Sequence, residues 1–130
     1  MCGFVGYVED GEKDRKIIKS MSDTIKHRGP DDEGFYEDDK ISLAFRRLSI
    51  IDLSNGHQPM FNEDSSMVIL FNGEIYNYQE LKSELSDYPF QTNSDTEVLL
   101  YGYKEWGSEL PKHLRGMFAF ALYDIEDKTL

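Results

Sequence analysis

The sequence predicts an α+β domain with antiparallel sheets, because short strand patterns alternate along the chain with amphipathic helix patterns. Hairpin signals separate neighbouring strand patterns: residues 34–37 and 41–45 both favour strands and are joined by three polar residues. The chain has 130 residues, of which 39% are hydrophobic, and this is enough to bury the core of one domain.

The first half of the chain contains a helix with clear boundaries. Ile17, Met21 and Ile25 recur at a spacing of four and predict one apolar helix face. Gly29 and Pro30 both terminate helices, so we expect this helix to end before them. The predicted elements of this half are a strand over residues 3–8, a helix over about residues 14–26, strands over residues 34–37 and 41–45, and an apolar stretch over residues 48–53 followed by a turn at residues 54–56.

The second half begins with an apolar strand that runs into Asn72 and Gly73, a pair typical of tight turns. Residues 77–80 and 94–97 both have the form of a capping box and predict two helix starts, and Gly107 predicts the end of the second helix. A buried strand is predicted over residues 117–123, and residues 125–128 form a turn into a further strand. The sequence stops there, so we expect the domain to be incomplete at its C-terminal end.

Composition excludes several classes of partner. A formal net charge of −11 disfavours nucleic acid and anionic lipid. No apolar run approaches the roughly 20 residues that a membrane-spanning helix needs. One cysteine and N-terminal residues without a basic segment predict a cytoplasmic protein. The three histidines are too scattered for a metal site, and no Gly-rich phosphate loop predicts an ATP site.

Cys2 has two interpretations. Most lone cysteines are small buried hydrophobic residues. Removal of Met1, which a small second residue permits, would instead leave Cys2 with both a thiol and a free α-amine. The α-amine has a pKa of about 7.7–8.0, which suits a general base at neutral pH. One residue would then supply both the nucleophile and its base.

Asn72 and Gly73 form either a turn or a pair of hydrogen-bond donors to one oxyanion, and the sequence leaves both open. Arg47 projects from an apolar stretch and could bind a carboxylate in a bidentate manner, although most arginines are solvated. Glu74 could equally be solvated, and Asp95 could simply favour a helix N-terminus. Together, one cation and two anions would match the carboxylate and ammonium groups of an amino acid.

Seven segments in order resemble the glutaminase domain of glutamine-hydrolysing asparagine synthetase, a class II glutamine amidotransferase. The resemblance covers nearly the whole chain, and the order of the segments makes it far more specific than any one of them. The segments are residues 1–6, 27–31, 47–52, 56–60, 72–77, 94–97 and 115–120.

The resemblance implies the N-terminal nucleophile hydrolase fold, a four-layer αββα sandwich with two antiparallel sheets. It also implies a role for each candidate residue. Cys2 would be the nucleophile with its α-amine as base; Asn72 and Gly73 would form the oxyanion hole; Arg47 would hold the glutamine carboxylate; Glu74 and Asp95 would surround its α-amino group; and backbone groups of Leu48, Ser49, Ile50 and Ile51 would line the same pocket.

Residues 1–130 would then be a class II glutamine amidotransferase domain that releases ammonia for a C-terminal synthetase domain. In the family, that synthetase domain activates aspartate with ATP and magnesium, and we expect no cofactor or metal in this chain. Glutamine is the expected small-molecule partner, and a homodimer is compatible with the resemblance. Two alternatives stay open: a related amidotransferase whose acceptor is a sugar acid or another metabolite, and a non-catalytic module of the same fold.

Overall fold

The structure, a computed structural model, describes residues 2–49 and 56–130. The chain divides into two compact units. Unit 1 comprises Met1–Pro59 and Leu70–Asn72, and unit 2 comprises Met60–Ile69 and Gly73–Leu130. Residues 54 and 55 of the predicted turn and residues 50–53 of the predicted apolar stretch lie outside the described residues.

Unit 1 is built on a three-stranded antiparallel sheet with one helix. Strand β1 (Gly3–Val8) is followed by helix α1 (Arg15–Thr24) and a 3₁₀ turn at Lys26–Arg28. Strands β2 (Asp32–Glu37) and β3 (Ile41–Arg47) then form the predicted hairpin, and the strand order is β1-β3-β2. β3 is buried along its whole length because it is the central strand. Gly3 pairs with Arg46, so the start of β1 lies beside the end of β3.

The prediction of which residues form the buried face of α1 is wrong. Ile17 is 48% exposed, whereas Ile18 and Ser22 are fully buried. Ser22 is buried because it is a hydrogen-bond partner of Arg46, whose Nε donates to the Ser22 hydroxyl at 2.8 Å. That contact joins residues 24 positions apart, so a periodicity confined to the helix cannot show it. Asp14 caps the helix by accepting a hydrogen bond from the N–H of Lys16.

Unit 2 contains most of a second three-stranded sheet, with strand order β4-β5-β6. β4 pairs with β5 in antiparallel orientation. The elements that follow Pro59 in chain order are β4 (Met60–Phe61), β5 (Met67–Ile75), α2 (Tyr78–Glu84), α3 (Asp95–Trp106), α4 (Leu110–His113) and β6 (Gly116–Asp124). In the part of the chain that the structure describes, no helix is long and apolar enough to cross a membrane.

Asn72 and Gly73 do not form the tight turn that the pair usually marks. β5 continues through both residues to Ile75, and Gly73 adopts a φ of +151°. A Cβ atom on Gly73 would lie 2.1 Å from the carbonyl oxygen of Met117, and one on Gly116 would lie 2.0 Å from that of Glu74. The two glycines therefore let the backbones of β5 and β6 approach closely, which keeps β5 extended.

Two further expectations for unit 2 are corrected. Asn77 precedes α2 as predicted but makes no capping hydrogen bond, because its side chain donates to the carbonyl of His113 and accepts from the N–H of Arg115. β6 was expected to be buried throughout, but its first four residues are exposed, and Met117 is 67% exposed. By contrast, Ser94 caps α3 by accepting from the N–H of Thr96, and Gly107 ends the helix as predicted.

Candidate functional site

Cys2 immediately precedes β1 and is half-buried. The backbone N–H of Leu48 donates to its sulfur at a distance of 3.5 Å, and the carbonyl oxygen of Leu48 lies 3.9 Å from the same sulfur. The pairing of Gly3 with Arg46 causes this proximity, because it sets residue 2 beside the segment that leaves β3. The N–H therefore presents a positive partial charge to the sulfur, where a thiolate would carry negative charge.

Arg28 holds the backbone of Cys2, a role that we did not predict. Its Nε donates to the carbonyl oxygen of Cys2 at 3.1 Å. Gly3 leaves room for this contact, since a Cβ atom there would lie 3.3 Å from the Arg28 Cδ and Nε atoms. The only signal in the sequence was that Arg28 follows His27 within one of the seven segments, and this does not reveal which atom it binds.

Arg47 is the last residue of β3, and its side chain is buried at 8% exposure. It lines an open cleft of about 530 Å³ together with Asp31, Asp32 and Ser49. Asp31 fixes this segment at two points: its N–H donates to the carbonyl of Arg47, and its carboxylate accepts from the N–H of Ser49 at 2.7 Å. A guanidinium held in a polar cleft can bind a carboxylate through paired hydrogen bonds.

Gly56 packs directly on Arg47. A Cβ atom on Gly56 would lie 2.5 Å from Nη2 and 2.9 Å from Cζ of the guanidinium. The absence of a side chain at Gly56 therefore leaves the space that the guanidinium occupies.

Asn72 belongs to unit 1 and lies within strand β5 rather than in a turn. Its side chain is half-buried, and it directly follows the buried residue Phe71. Gly73, the next residue, is exposed and belongs to unit 2. The backbone at Asn72 and Gly73 is extended, so the pair does not form a hairpin turn. Their role as hydrogen-bond donors to an oxyanion stays a prediction.

Asp95 and Glu74 interact within unit 2. The backbone N–H of Ile75 donates to the Asp95 carboxylate at 3.0 Å, which places this acid beside the end of β5. Burial raises the pKa of Asp95, and the negative charge of Glu74 raises it further, whereas the hydrogen bond from Ile75 opposes both effects. Two neighbouring carboxylates, one of them partly buried, form a favourable environment for a small cation.

Glu97 orders the loop that leads to Asp95, instead of serving as the partner of Ser94 in a capping box. Its buried carboxylate accepts hydrogen bonds from the backbone N–H groups of Gln91 and Thr92, both at 2.8 Å, and from the Thr92 hydroxyl at 2.6 Å. The same hydroxyl accepts from the N–H of Ser94. The start of α3, and with it Asp95, is therefore held by a connected network.

The predicted site residues fall into two groups, and their roles stay predictions. Ile50 and Ile51 lie outside the described residues. Among residues 2–49 and 56–130, no group of three or more His, Cys, Asp and Glu side chains is placed to hold a metal ion. Unit 1 brings together the sulfur of Cys2 and the segment Arg47, Leu48 and Ser49, and it also contains Asn72; unit 2 contains Gly73, Glu74 and Asp95.

Comparison with known proteins gives a consistent result. The glutamine amidotransferase domain family matches residues 1–130. Asparagine synthetase [glutamine-hydrolyzing] 1 of Bacillus subtilis (strain 168) is 47% identical over 137 residues, covering 100% of this chain and 22% of that protein. Asparagine synthetase B [glutamine-hydrolyzing] of Escherichia coli (strain K12) is 47% identical over 130 residues, covering 97% of this chain and 24% of that protein. The chain therefore spans about a quarter or less of the length of these relatives.

Among solved structures, glutamine phosphoribosylpyrophosphate amidotransferase from Bacillus subtilis, complexed with ADP and GMP, has a TM-score of 0.73 at 20% sequence identity. The match covers 96% of this chain and 35% of that chain. At this level of identity the likeness concerns the fold. It confirms the predicted α+β class with two antiparallel sheets, and it supports the N-terminal nucleophile hydrolase fold.

Proposed function

We propose that this chain, which belongs to the glutamine amidotransferase domain family, hydrolyses glutamine to glutamate and ammonia. One observation carries the proposal: the N–H of Leu48 donates to the sulfur of Cys2 at 3.5 Å, and Leu48 directly follows the buried guanidinium of Arg47. A nucleophile and a group that binds carboxylates therefore lie at the same end of this sheet. This arrangement suits a small substrate that has a carboxylate at one end and an amide at the other.

In the proposed reaction, Met1 is removed and the α-amine of Cys2 takes the proton of its own thiol. The thiolate attacks the side-chain amide carbon of glutamine, and the resulting oxyanion is bound by Asn72 and Gly73. Collapse of this intermediate breaks the C–N bond, and the α-ammonium group returns the proton to the departing ammonia. Water then cleaves the γ-glutamyl thioester, which releases glutamate and restores the thiol.

The remaining residues would select free glutamine. We assign the substrate carboxylate to Arg47 and the α-ammonium group to Glu74 and Asp95. An ammonium ion would offset both the partial burial of Asp95 and its repulsion by Glu74, the two effects that raise its pKa. The backbone groups that would line the pocket are those of Leu48, Ser49, Ile50 and Ile51.

The relatives named above are asparagine synthetases, so we propose aspartate as the acceptor of the ammonia, activated in a separate synthetase domain. ATP and magnesium would act in that domain, and no step assigned to this chain runs through them. The single cysteine is consistent with a cytoplasmic setting.

The test measures ammonia release from glutamine by protein whose N-terminus has been shown by mass spectrometry to be Cys2. We expect turnover in this protein, and we expect Cys2→Ala to lower it by about 10³-fold or more. A diazoketone analogue of glutamine should label the native protein once and leave the Cys2→Ala variant unlabelled. Native protein that releases no ammonia and takes up no label would overturn the proposal.

A matched control separates the thiol from the α-amine. One glycine inserted before Cys2 keeps the sulfur but converts the proposed base into an amide nitrogen. We expect this variant to react with iodoacetamide and yet to lose glutamine turnover. Undiminished turnover would show that the α-amine is not the base.

A further inference from the structure

Gln58 makes a paired contact with the strand that carries Asn72. Its side chain is 7% exposed, and its Nε2 donates to the carbonyl oxygen of Phe71 at 3.1 Å. Its Oε1 accepts from the backbone N–H of the same residue at 2.6 Å. One amide therefore satisfies both polar backbone groups of Phe71, as the backbone of a neighbouring strand would do.

The chain around Gln58 explains why a side chain is used here. Strand β4 begins only at Met60, which pairs with Ile69, so the pairing of β4 with β5 ends before it reaches Phe71. The amide of Gln58 therefore supplies the donor and the acceptor that Phe71 needs. Both groups of Phe71 are buried, so their loss would leave polar atoms without partners.

The backbone of Gln58 is in turn fixed on the sheet of unit 1. A Cβ atom on Gly34 would lie 2.0 Å from the carbonyl oxygen of Gln58, so β2 packs directly on this residue. Gly34 pairs with Phe45 in β3, and Phe45 pairs with Phe4 in β1. The same sheet thus carries Cys2 at the start of β1 and holds Gln58 at β2.

We propose that Gln58 is a positioning residue for the oxyanion site, which holds Asn72 in place relative to the sheet that carries Cys2. This inference rests on the function proposed above. Asn72 is covalently bonded to Phe71, so a restraint on Phe71 also restrains Asn72. The two hydrogen bonds between the Phe71 backbone and the Gln58 amide limit the movement of Phe71 along β5 and away from the sheet. An error of about 1 Å in the placement of such a donor can cost about 10²-fold in rate.

The test uses Gln58→Glu and Gln58→Met in the protein with a free Cys2. At pH 8 an ionised carboxylate can accept from Phe71 but cannot donate to it, and methionine can do neither. We expect kcat for glutamine to fall about 10- to 100-fold in both variants, with KM changed by less than about threefold. Alkylation of Cys2 by iodoacetamide needs no oxyanion site, so its rate should change by less than about twofold.

The pH profile distinguishes positioning from a general loss of structure. A protonated Glu side chain has one donor and one acceptor, the two functions that the Gln58 amide uses towards Phe71. The activity of Gln58→Glu relative to the native protein should therefore rise as the pH falls from about 8 to about 5.5, because burial raises the pKa of a carboxyl group. Gln58→Met should show no such recovery. The α-amine and the neighbouring pair of His57 and Asp32 are the same in both proteins, so the ratio removes their effect.

Asn62→Asp is the matched control. Asn62 is also buried, and its Oδ1 accepts from the N–H of Met67 at the other end of β5. We expect this variant to lose stability but to keep kcat within about twofold when activity is expressed per alkylatable Cys2. An equal loss of kcat in Asn62→Asp and Gln58→Glu, or full activity in both Gln58 variants, would overturn the role of Gln58 alone. An inactive native protein would instead overturn the proposed function, and this inference with it.

Discussion

Replacement of Gly73 by alanine tests the close approach of β5 and β6. The new methyl group would meet two obstacles. The φ angle of +151° at Gly73 lies in a region that residues other than glycine rarely adopt. The Cβ atom would also lie 2.1 Å from the carbonyl oxygen of Met117 and 2.7 Å from the Cα of Phe118. Both obstacles belong to the backbone, which cannot rotate away as a flexible side chain can.

The positive φ and the steric overlap together give the expected loss of stability in Gly73→Ala. The positive φ contributes about 1–2 kcal/mol for a residue with a side chain. Relief of the overlap needs a shift of roughly 1 Å in one strand, which we equate with the overpacking cost of about 1–3 kcal/mol. The lower entropy of the unfolded chain offsets about 0.4–1 kcal/mol. The net loss of unfolding free energy is therefore about 3 kcal/mol at the midpoint of these terms, with bounds of about 1 and 4.6 kcal/mol.

Urea unfolding of Gly73→Ala and Gly107→Ala separates the cost of the positive φ from the cost of the steric overlap. Gly107 has a positive φ of +56°, but a Cβ atom there would meet nothing within 4 Å. We expect Gly107→Ala to cost only about 0–1.6 kcal/mol, since it lacks the steric term. If Gly73→Ala destabilises the protein no more than Gly107→Ala does, the close approach of the strands is not what selects glycine at position 73.

Two further predictions concern the substrate groups. Gly56→Ala should raise the KM for glutamine by about tenfold with little change in kcat, because the new methyl group displaces the guanidinium of Arg47 that would bind the carboxylate. Asp95→Asn should lower kcat/KM by about 10²-fold yet leave the protein at least as stable at pH 7, since burial raises the pKa of Asp95. A raised pKa means that the folded state binds more protons than the unfolded state. The stability of the native protein should then fall as the pH rises from the ordinary Asp pKa through the raised one.

Steady-state kinetics and chemical denaturation at several pH values check both predictions. For Gly56→Ala, Gly11→Ala is the control, because a Cβ atom on Gly11 would meet nothing within 4 Å. An unchanged KM would show that the absence of a side chain at Gly56 is not needed for the binding role of Arg47. For Asp95→Asn, a variant that is less stable than the native protein at pH 7 and equally stable near pH 4 would contradict the assigned direction of the pKa shift.

Local patterns predicted most of the secondary structure. The β2–β3 hairpin, the start of α3 at Ser94 and its end at Gly107 were all confirmed, since each depends on residues close together in the sequence. The segment at Asn72 was harder to predict because a strand distant in the sequence decides it. β6 pairs alongside β5 and keeps it extended, whereas the pair Asn72–Gly73 considered alone favours a turn.

Contacts between residues distant in the sequence also account for the other differences from the predicted structure. In α1 the predicted face omits Ser22, which Arg46 reaches from β3, and Asn77 bonds with residues near the start of β6 instead of capping α2. For the candidate site, the sequence identified the residue types, and the sulfur of Cys2 was found beside the segment at Arg47. The contacts of Arg28 and Gln58 with backbone atoms were not predictable, because a backbone partner leaves no pattern in the side chains.

The main-chain contacts of Gly116 have a consequence for suppressor genetics. The atoms that a methyl group at Gly116 would meet are the carbonyl oxygen and carbon of Glu74 and the Cα of Ile75, and every amino acid carries these atoms. No second substitution on the facing strand can remove them. A screen for restored growth that starts from Gly116→Ala should therefore recover revertants to glycine or general stabilising changes elsewhere, and never a compensating partner at position 74 or 75.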